Sequence, residues 1–409
     1  MKHTREKWLV VALLFLATLL NYLDRQTIAV SASVISREFG LGDAQLGQLF
    51  FAFLFAYGIA QLFVGTLLDR WPVRAAYAGA VIAWSLAGAA AALATGFVSL
   101  FLLRVLLGVC ECPNWPLALR VVRRTIPAEQ RALANGIFQS GTSIGALVAA
   151  PVIIWLTAAY SWRAAFIVVG AVGFVWVALW LAIFRERGDT ETTETTSSTS
   201  PASFAEIIRS RSFLGLLVAT SFLNPLQYFY VTWLPRYFDK YAGVGFGKEL
   251  AARLVTVYFA LDFGLWLGGA LVLWLAQRLS VTRARQIVTT LGAVLMAGIP
   301  LAGRLNDLNA ITVLLCLATF GLGCFMVNYL AFTSEVSDKK VSTAAGLLGG
   351  AGSLAGALFM LLVGGTVERS GSFALAFALA GVMPLIALGG VFIATRTSTT
   401  AALAAERIA

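Results

Sequence analysis

The chain has 409 residues, of which 59% are hydrophobic and only 12% are charged. Soluble globular proteins carry roughly 25% charged residues, so this composition excludes a soluble domain and predicts a membrane protein. The net charge of +10 does not indicate a nucleic-acid partner, because basic residues concentrate in the short loops on one side of the predicted membrane.

Long apolar runs, each of about 20 residues or more, predict an all-α bundle of transmembrane helices. The twelve predicted spans are residues 8–36, 43–68, 72–95, 97–124, 129–158, 162–184, 211–240, 248–277, 281–303, 307–334, 339–367 and 371–395. An even number of spans puts both termini on one side, and the distribution of Lys and Arg predicts that this side is the cytoplasm. We therefore expect a multi-pass protein of the cell inner membrane.

The predicted spans divide into an N-terminal half, residues 1–184, and a C-terminal half, residues 211–395. A polar segment, residues 185–210, separates them and contains too few hydrophobic residues to cross the membrane. We interpret it as a cytoplasmic linker and residues 396–409 as a cytoplasmic tail.

Charged residues lie inside two of the predicted spans, where isolated charges are costly and need partners or water. The first span contains Asp24 and Arg25, and the fourth contains Arg104 and Glu111. The last two are seven residues apart, so they project from one helix face about 10.5 Å apart along the axis. The set favours a proton-coupled site for an anion. Structural ion pairs that hold helices together are the alternative.

The second predicted span carries Tyr57 and Gln61 on one face and ends in a charged loop. Gly65, Asp69, Arg70 and Arg74 form a pattern that resembles the loop 2–3 signature of the major facilitator superfamily, with Pro72 where that family usually has Gly. The resemblance implies that the loop makes charge contacts with neighbouring helix ends that hold the outward-open conformation. A charged loop at the membrane edge without this role is the alternative.

The fourth span has the pattern R-x6-E-x-P-x2-P, from Arg104 through Glu111 to Pro116. Together with the Asn-Tyr-Leu-Asp-Arg string of residues 21–25, it resembles the anion:cation symporter branch of that superfamily, which includes bacterial sugar-acid symporters. The resemblance implies two six-helix halves related as a parallel repeat that rock around a central site. It implies symport of an organic anion with protons.

Candidate roles follow from side-chain chemistry. Arg25 presents a planar fork to a carboxylate and is the predicted substrate anchor, whereas Asp24, Glu111 and Arg104 are the predicted proton-coupling group. Protonation of Asp24 is expected to release Arg25 for the substrate. The other predicted substrate contacts are polar or aromatic: Tyr22, Tyr57, Gln61, Gln139, Gln227, Tyr228 and Asn328.

Two residues keep open interpretations. Gln139 lies among small residues and either faces the cavity or serves helix packing. Asp262, in the eighth span, is either a third protonatable acid or a structural acceptor.

The function predicted from these residues is import of a sugar acid, a hexuronate or an aldonate, coupled to protons by alternating access. An aromatic or simple carboxylate is the alternative substrate. A drug/proton antiporter would leave Arg25 without a role, and a sensor would normally carry a soluble signalling domain. The only histidine, His3, precedes the first span, and the chain has neither a metal-ligand cluster nor a nucleophile motif. We therefore expect no enzyme activity, no cofactor and no metal, and a monomer in the bilayer.

Overall fold

The structure is a computed structural model and describes residues 2–68, 71–127, 130–185, 209–335 and 341–406. Twelve helical segments in these ranges are long and apolar enough to cross a membrane, as the sequence predicts. Asp69, Arg70 and most of the predicted linker lie outside the described residues. The α-helices are α1 (Lys2–Phe39), α2 (Asp43–Leu68), α3 (Val73–Ala90), α4 (Phe97–Glu111), α5 (Asn114–Thr125), α6 (Arg131–Ala159), α7 (Trp162–Ile183), α8 (Arg211–Arg236), α9 (Lys248–Leu275), α10 (Val281–Ala297), α11 (Leu308–Glu335), α12 (Val341–Ser370) and α13 (Ala374–Glu406).

The lipid environment explains why long helices dominate, because every backbone polar group in the hydrocarbon region needs an internal hydrogen bond. Helix starts follow local chemistry. Ser161 caps α7 by accepting a hydrogen bond from the Ala164 amide at 3.1 Å, and Ser280 caps α10 in the same way through Arg283. The sequence thereby determines where these helices begin.

The fourth span consists of two helices rather than one. Helix α4 ends at Glu111 and α5 begins at Asn114, with Pro113 at the break. Proline lacks the N–H that a continuous helix requires and its ring clashes with the preceding turn, so the chain is interrupted at this point. The break lies directly after Glu111, one of the charged residues that the sequence places inside a predicted span.

Close helix packing depends on glycine at specific positions. A Cβ atom on Gly108 would lie 2.5 Å from the Phe53 carbonyl oxygen, and one on Gly141 would lie 2.6 Å from the Phe15 carbonyl oxygen. Helix α4 therefore approaches α2, and α6 approaches α1, more closely than any larger residue permits. These contacts bring the charged faces of α1 and α4 to the same region.

The chain forms two compact units. The first comprises Met1–Arg185, Gln227–Phe259 and Gly356–Ala376, and the second comprises Glu186–Leu226, Ala260–Ala355 and Phe377–Ala409. Packing in the second unit again uses glycine, since a Cβ on Gly292 would lie 2.5 Å from the Gly321 carbonyl oxygen. The division into halves of residues 1–184 and 211–395, read from the sequence, stays a prediction.

Candidate functional site

The four charged side chains that the sequence places inside predicted spans lie in the interior of the first unit. Asp24 is 3% exposed, Arg104 is 4% exposed and Glu111 is fully buried, while the side chain of Arg25 is 13% exposed. On α4 the buried residues Leu100, Arg104, Leu107, Gly108 and Glu111 form one stripe, as the seven-residue spacing predicts. The stripe packs against α2 through Gly108.

Arg25 forms an ion pair with Glu111. Its Nε donates to Glu111 Oε2 at 2.7 Å, across 86 residues of sequence. Aromatic rings surround the same guanidinium, whose central carbon lies 4.5 Å from the centroid of the Tyr57 ring and 5.1 Å from those of Tyr22 and Phe53. The rings give the cation favourable contacts where water is largely excluded.

Asp24 is not the partner that the structure gives to Arg25. Consecutive residues of a helix diverge by about 100°, so Asp24 points toward α3 while Arg25 points toward α4. A Cβ atom on Gly88 of α3 would lie 2.8 Å from Asp24 Oδ1. The predicted release of Arg25 by protonation therefore involves Glu111 in this arrangement, rather than its sequence neighbour.

Arg104 has a different environment from Arg25. Its Nε and Nη1 atoms are buried, and neither has a hydrogen-bond partner among the described residues. The guanidinium lies over the Phe53 ring, 4.5 Å from the centroid. Buried, unpaired N–H groups are costly, so the arrangement favours the arrival of an acceptor from outside the protein.

A cavity lies between these charged side chains and α8. Its lining residues come from α1, α2, α4 and α8: Tyr22, Arg25, Gln26, Phe50, Phe53, Leu54, Arg104, Gln227, Tyr228, Val231 and Thr232. Five of the predicted site residues are among them, and Tyr57 reaches the site through its contact with Arg25. Tyr228 has space because α12 carries Gly356 beside it, where a Cβ would lie 2.5 Å from the Tyr228 ring.

Gln26 and Thr232 line the cavity although the sequence-based assignment omitted them. Gln26 directly follows Arg25, so its polar side chain inside an apolar span was the available signal. Thr232 follows Gln227 by five residues on the same helix, a spacing that alone is not specific.

Besides Tyr57, three predicted contacts do not line this cavity. Gln61 and Gln139 are half-buried, on α2 and α6. Asn328 belongs to the second unit, where its Nδ2 donates to the Cys324 carbonyl of its own helix at 2.8 Å. Asp262 is also in the second unit and is 4% exposed.

The loop that carries the family-like signature is held by arginines at helix ends. Arg74 donates to the Leu181 carbonyl oxygen at the end of α7. Arg120 of α5 donates to the Leu68 carbonyl oxygen at the end of α2 at 2.6 Å. Cations at the C-termini of helices satisfy orphan carbonyls and interact favourably with the helix dipole.

A second charge cluster lies at the start of α2, which we call the Asp43 cluster: Asp43, Arg236, Lys240, Tyr241 and Glu368. Asp43 and Arg236 are buried, whereas Lys240 and Glu368 are exposed. Asp43 is 1% exposed and accepts hydrogen bonds from Arg236 Nε at 2.8 Å, Lys240 Nζ at 2.7 Å and Tyr241 Oη at 2.6 Å. The Glu368 carboxylate in turn accepts the backbone amides of Asp43 and Ala44, which start the helix.

The Asp43 cluster joins helices that line the cavity, at one of their ends. Arg236 also donates to Ser33 Oγ of α1 at 3.1 Å. Ser33 follows Arg25 by eight residues, which is about 12 Å along a helix. Between the two levels, Phe50 and Trp233 form an edge-to-face pair with centroids 5.2 Å apart. These contacts join α1, α2 and α8 near the end of α1 that is remote from the N-terminus.

A multi-pass helical bundle that encloses a charged and aromatic cavity has the architecture of a membrane transporter. The sequence model of the Major Facilitator Superfamily matches residues 14–360, so the chain belongs to that family. It is a transporter of the inner membrane and not an enzyme.

Three curated relatives show what the chain is similar to. The hexuronate transporter of Escherichia coli (strain K12) is 31% identical over 400 residues, which cover 93% of this chain and 92% of that protein. A probable galactarate/D-glucarate transporter of the same strain is 28% identical, with 94% and 93% covered. The D-galactonate transporter of Escherichia coli O6:H1 is 28% identical, with 95% and 97% covered.

A solved structure shows the same fold. It is the inward-facing, unoccupied crystal structure of a bacterial homologue of the human lysosomal transporter Spinster. The TM-score is 0.73 at 21% identity, with 95% of each chain covered. At this identity the likeness concerns the fold alone.

Proposed function

We propose that this protein imports a sugar acid, a hexuronate or an aldonate, in symport with protons. The observation that carries the proposal is the buried cavity in which Arg104 presents unpaired N–H groups beside the Arg25–Glu111 ion pair. The three sugar-acid transporters among the relatives support the choice of substrate class.

Arg104 binds the substrate carboxylate first in this proposal. Arg25 has its Nε engaged by Glu111, whereas Arg104 has buried donors without a partner. A guanidinium fork matches a carboxylate and forms two parallel hydrogen bonds with it. Arg25, the anchor expected from the sequence, becomes available once Glu111 is protonated.

Charge balance couples the proton to the substrate. Two arginines and two ionised carboxylates, Asp24 and Glu111, sum to no net charge in the site. An entering sugar acid adds one negative charge, which is costly in a low-dielectric interior unless a proton enters with it. Protonation of Glu111 restores neutrality and releases Arg25 to the substrate. Asp24 is the second protonatable group, and its carboxylate lies on the side of the site that faces α3.

The rest of the substrate is recognised by hydroxyl and ring contacts. Tyr22, Tyr57, Gln227 and Tyr228 surround the two arginines and offer hydrogen-bonding groups together with aromatic faces. Such a lining suits a polyhydroxylated ring better than a purely apolar carboxylate.

Transport proceeds by rocking of two six-helix halves, with both termini in the cytoplasm and residues 185–210 as the linker. The protein works as a monomer. In this orientation the Asp43 cluster lies on the external side, so the proposed state is closed to the outside.

The test is uptake of labelled D-glucuronate into proteoliposomes, with and without an inward proton gradient. Galactonate and benzoate serve as competitors. Uptake that is stimulated by the gradient and inhibited by galactonate supports the proposal. If labelled benzoate is taken up in place of labelled D-glucuronate, and sugar acids do not inhibit its uptake, the proposed substrate class is wrong. Uptake that ignores the gradient would overturn proton coupling.

A further inference from the structure

The side-chain amide oxygen of Gln26 has no hydrogen-bond partner in the part of the protein that the structure describes. Gln26 lies in α1 directly after Arg25, is 1% exposed and lines the cavity. Its Oε1 atom is buried and has no hydrogen-bond partner among the described residues. A buried polar atom left unpaired costs about 1–3 kcal/mol, so its persistence in a cavity indicates a partner that enters with solvent or ligand.

The side-chain chemistry of Gln26 differs from that of the groups that bind charge. Arg25 and Arg104 supply cations for a carboxylate, whereas a neutral amide supplies one acceptor and two donors. A hydroxyl group is both donor and acceptor and complements an amide, while a carboxylate offers acceptors alone. The chemistry of Gln26 therefore suits the part of a substrate that carries hydroxyls.

Other wall residues do not duplicate this role at the same place. Phe50, Phe53 and Leu54 of α2 form the apolar side of the cavity. Gln227 and Thr232 belong to α8, which approaches the cavity from a different part of the chain. On α1 itself the cavity-lining residues besides Gln26 are the ring of Tyr22 and the cation of Arg25.

We propose that Gln26 is a specificity-determining residue, which hydrogen-bonds one hydroxyl group of the sugar acid and selects against analogues that lack this hydroxyl. The inference rests on the proposed function and names the residue that distinguishes one polyhydroxylated acid from another. Sites built to hydrogen-bond a hydroxyl reject deoxy analogues because a buried polar group is then left unpaired.

The experiment measures inhibition of labelled D-glucuronate uptake by a panel of monodeoxy-glucuronates, one hydroxyl removed at a time. It compares the wild type with Gln26→Leu, Gln26→Asn and Gln26→Thr. In the wild type, removal of the hydroxyl that meets Gln26 is expected to weaken inhibition by about tenfold. In Gln26→Leu that one penalty disappears while the penalties at other positions remain. Gln26→Thr has a hydroxyl group that can still form a hydrogen bond, so this variant is expected to retain part of that penalty.

The matched control is Gln48→Leu, the same change at an exposed position of α2. It is expected to keep the full pattern of penalties. Ratios of inhibition constants do not depend on how much of a variant folds, so a loss of total activity does not disturb the comparison.

Three results would count against the proposal. Penalties that are identical in the wild type and in all three variants show that no hydroxyl meets Gln26. Inactivity of all three variants assigns Gln26 to packing. Failure of the wild type itself to take up glucuronate, galactonate and galactarate overturns the proposed function, and this outcome is recognised without any variant.

Discussion

Arg25 and Arg104 lie in the same cavity, and their partners give them different chemical properties. Arg25 is held by Glu111 and by three aromatic rings. The guanidinium of Arg104 lies over the Phe53 ring, and two of its nitrogens have no hydrogen-bond partner in the described part of the chain. A carboxylate that enters the cavity gains most from the arginine whose donors are not already used. The two residues are therefore not interchangeable.

Arg104→Lys is expected to raise the KM for D-glucuronate by roughly 10- to 100-fold, because an ammonium group cannot offer the planar pair of donors. Initial uptake rates in proteoliposomes over a range of concentrations provide the measurement. Arg304→Lys, at an exposed position, is the control and is expected to keep the wild-type KM. A KM unchanged in Arg104→Lys would contradict the assignment of Arg104 to the carboxylate.

Glu111→Gln is expected to abolish accumulation driven by the proton gradient while exchange of substrate across the membrane persists. The amide keeps the shape of the side chain but cannot gain or lose a proton, so binding survives and coupling does not. Asp24→Asn is expected to behave in the same way. Parallel assays of gradient-driven uptake and counterflow separate the two activities.

Glu249→Gln is the matched acid-to-amide change in an exposed ion pair with Arg253, where the glutamate side chain is 58% exposed. Exposed pairs contribute little, so this variant is expected to keep both activities. Gradient-driven accumulation by Glu111→Gln or Asp24→Asn would remove that residue from the coupling mechanism.

At the scale of elements, the approach of α4 to α2 determines whether the charged stripe of α4 faces Arg25. Gly108→Leu would place a side chain where the Phe53 carbonyl oxygen lies 2.5 Å from an added Cβ. We expect a lower melting temperature in detergent and a loss of uptake, since overpacking a closely packed contact costs about 1–3 kcal/mol or more. Gly79→Leu is the control, because an added Cβ there meets nothing within 4 Å. Equal stability of the two variants would contradict this role for Gly108.

The Asp43 cluster joins α2 to residues that are about 200 and 325 positions away in sequence. Asp43→Asn removes the charge that Arg236 and Lys240 share, and breaking a buried ion pair costs about 3–5 kcal/mol. The cluster joins α1, α2 and α8 at one end of the cavity, so we expect the variant to open that end more often. Glu249→Gln again serves as the exposed control.

Alkylation of a cysteine at Ser36 measures this opening, in a chain whose four native cysteines are replaced by alanine. Ser36 is 5% exposed near the end of α1 and its hydroxyl makes no hydrogen bond to the described residues. The labelling rate is expected to rise in Asp43→Asn and to stay unchanged in the control. A rate unchanged by Asp43→Asn would show that the cluster does not hold this end closed.

At the scale of the whole molecule, twelve spans require both termini on the same side of the membrane. The basic residues of the short loops predict that this side is the cytoplasm. Tags at the two termini are expected to be removed by protease in inside-out vesicles and to survive in right-side-out vesicles. Removal of either tag in right-side-out vesicles would reverse the assignment of the Asp43 cluster to the external side.

The transmembrane spans and the helix faces of the charged residues could be predicted from the sequence, because the signals for them are local. Apolar runs gave the twelve spans, and the seven-residue spacing of Arg104 and Glu111 placed both on the buried stripe of α4. Pro113 lies at the interruption between α4 and α5, which the single predicted span of residues 97–124 did not include. Helix length and helix period depend on residues only a few positions apart, so a single chain suffices to read them.

The partners of the charges were decided only by tertiary structure. Arg25 pairs with Glu111, not with adjacent Asp24, because the arrangement of α1 and α4 within the folded first unit selects the partner. The same applies to Asp43 with Arg236, and to Gln26, whose amide oxygen lacks a partner among the described residues, a feature that is evident only inside a formed cavity. The sequence alone determined that charges are buried and on which helix faces they lie. Which charges meet depends on the distance and rotation between helices far apart in the chain, and no local pattern encodes these.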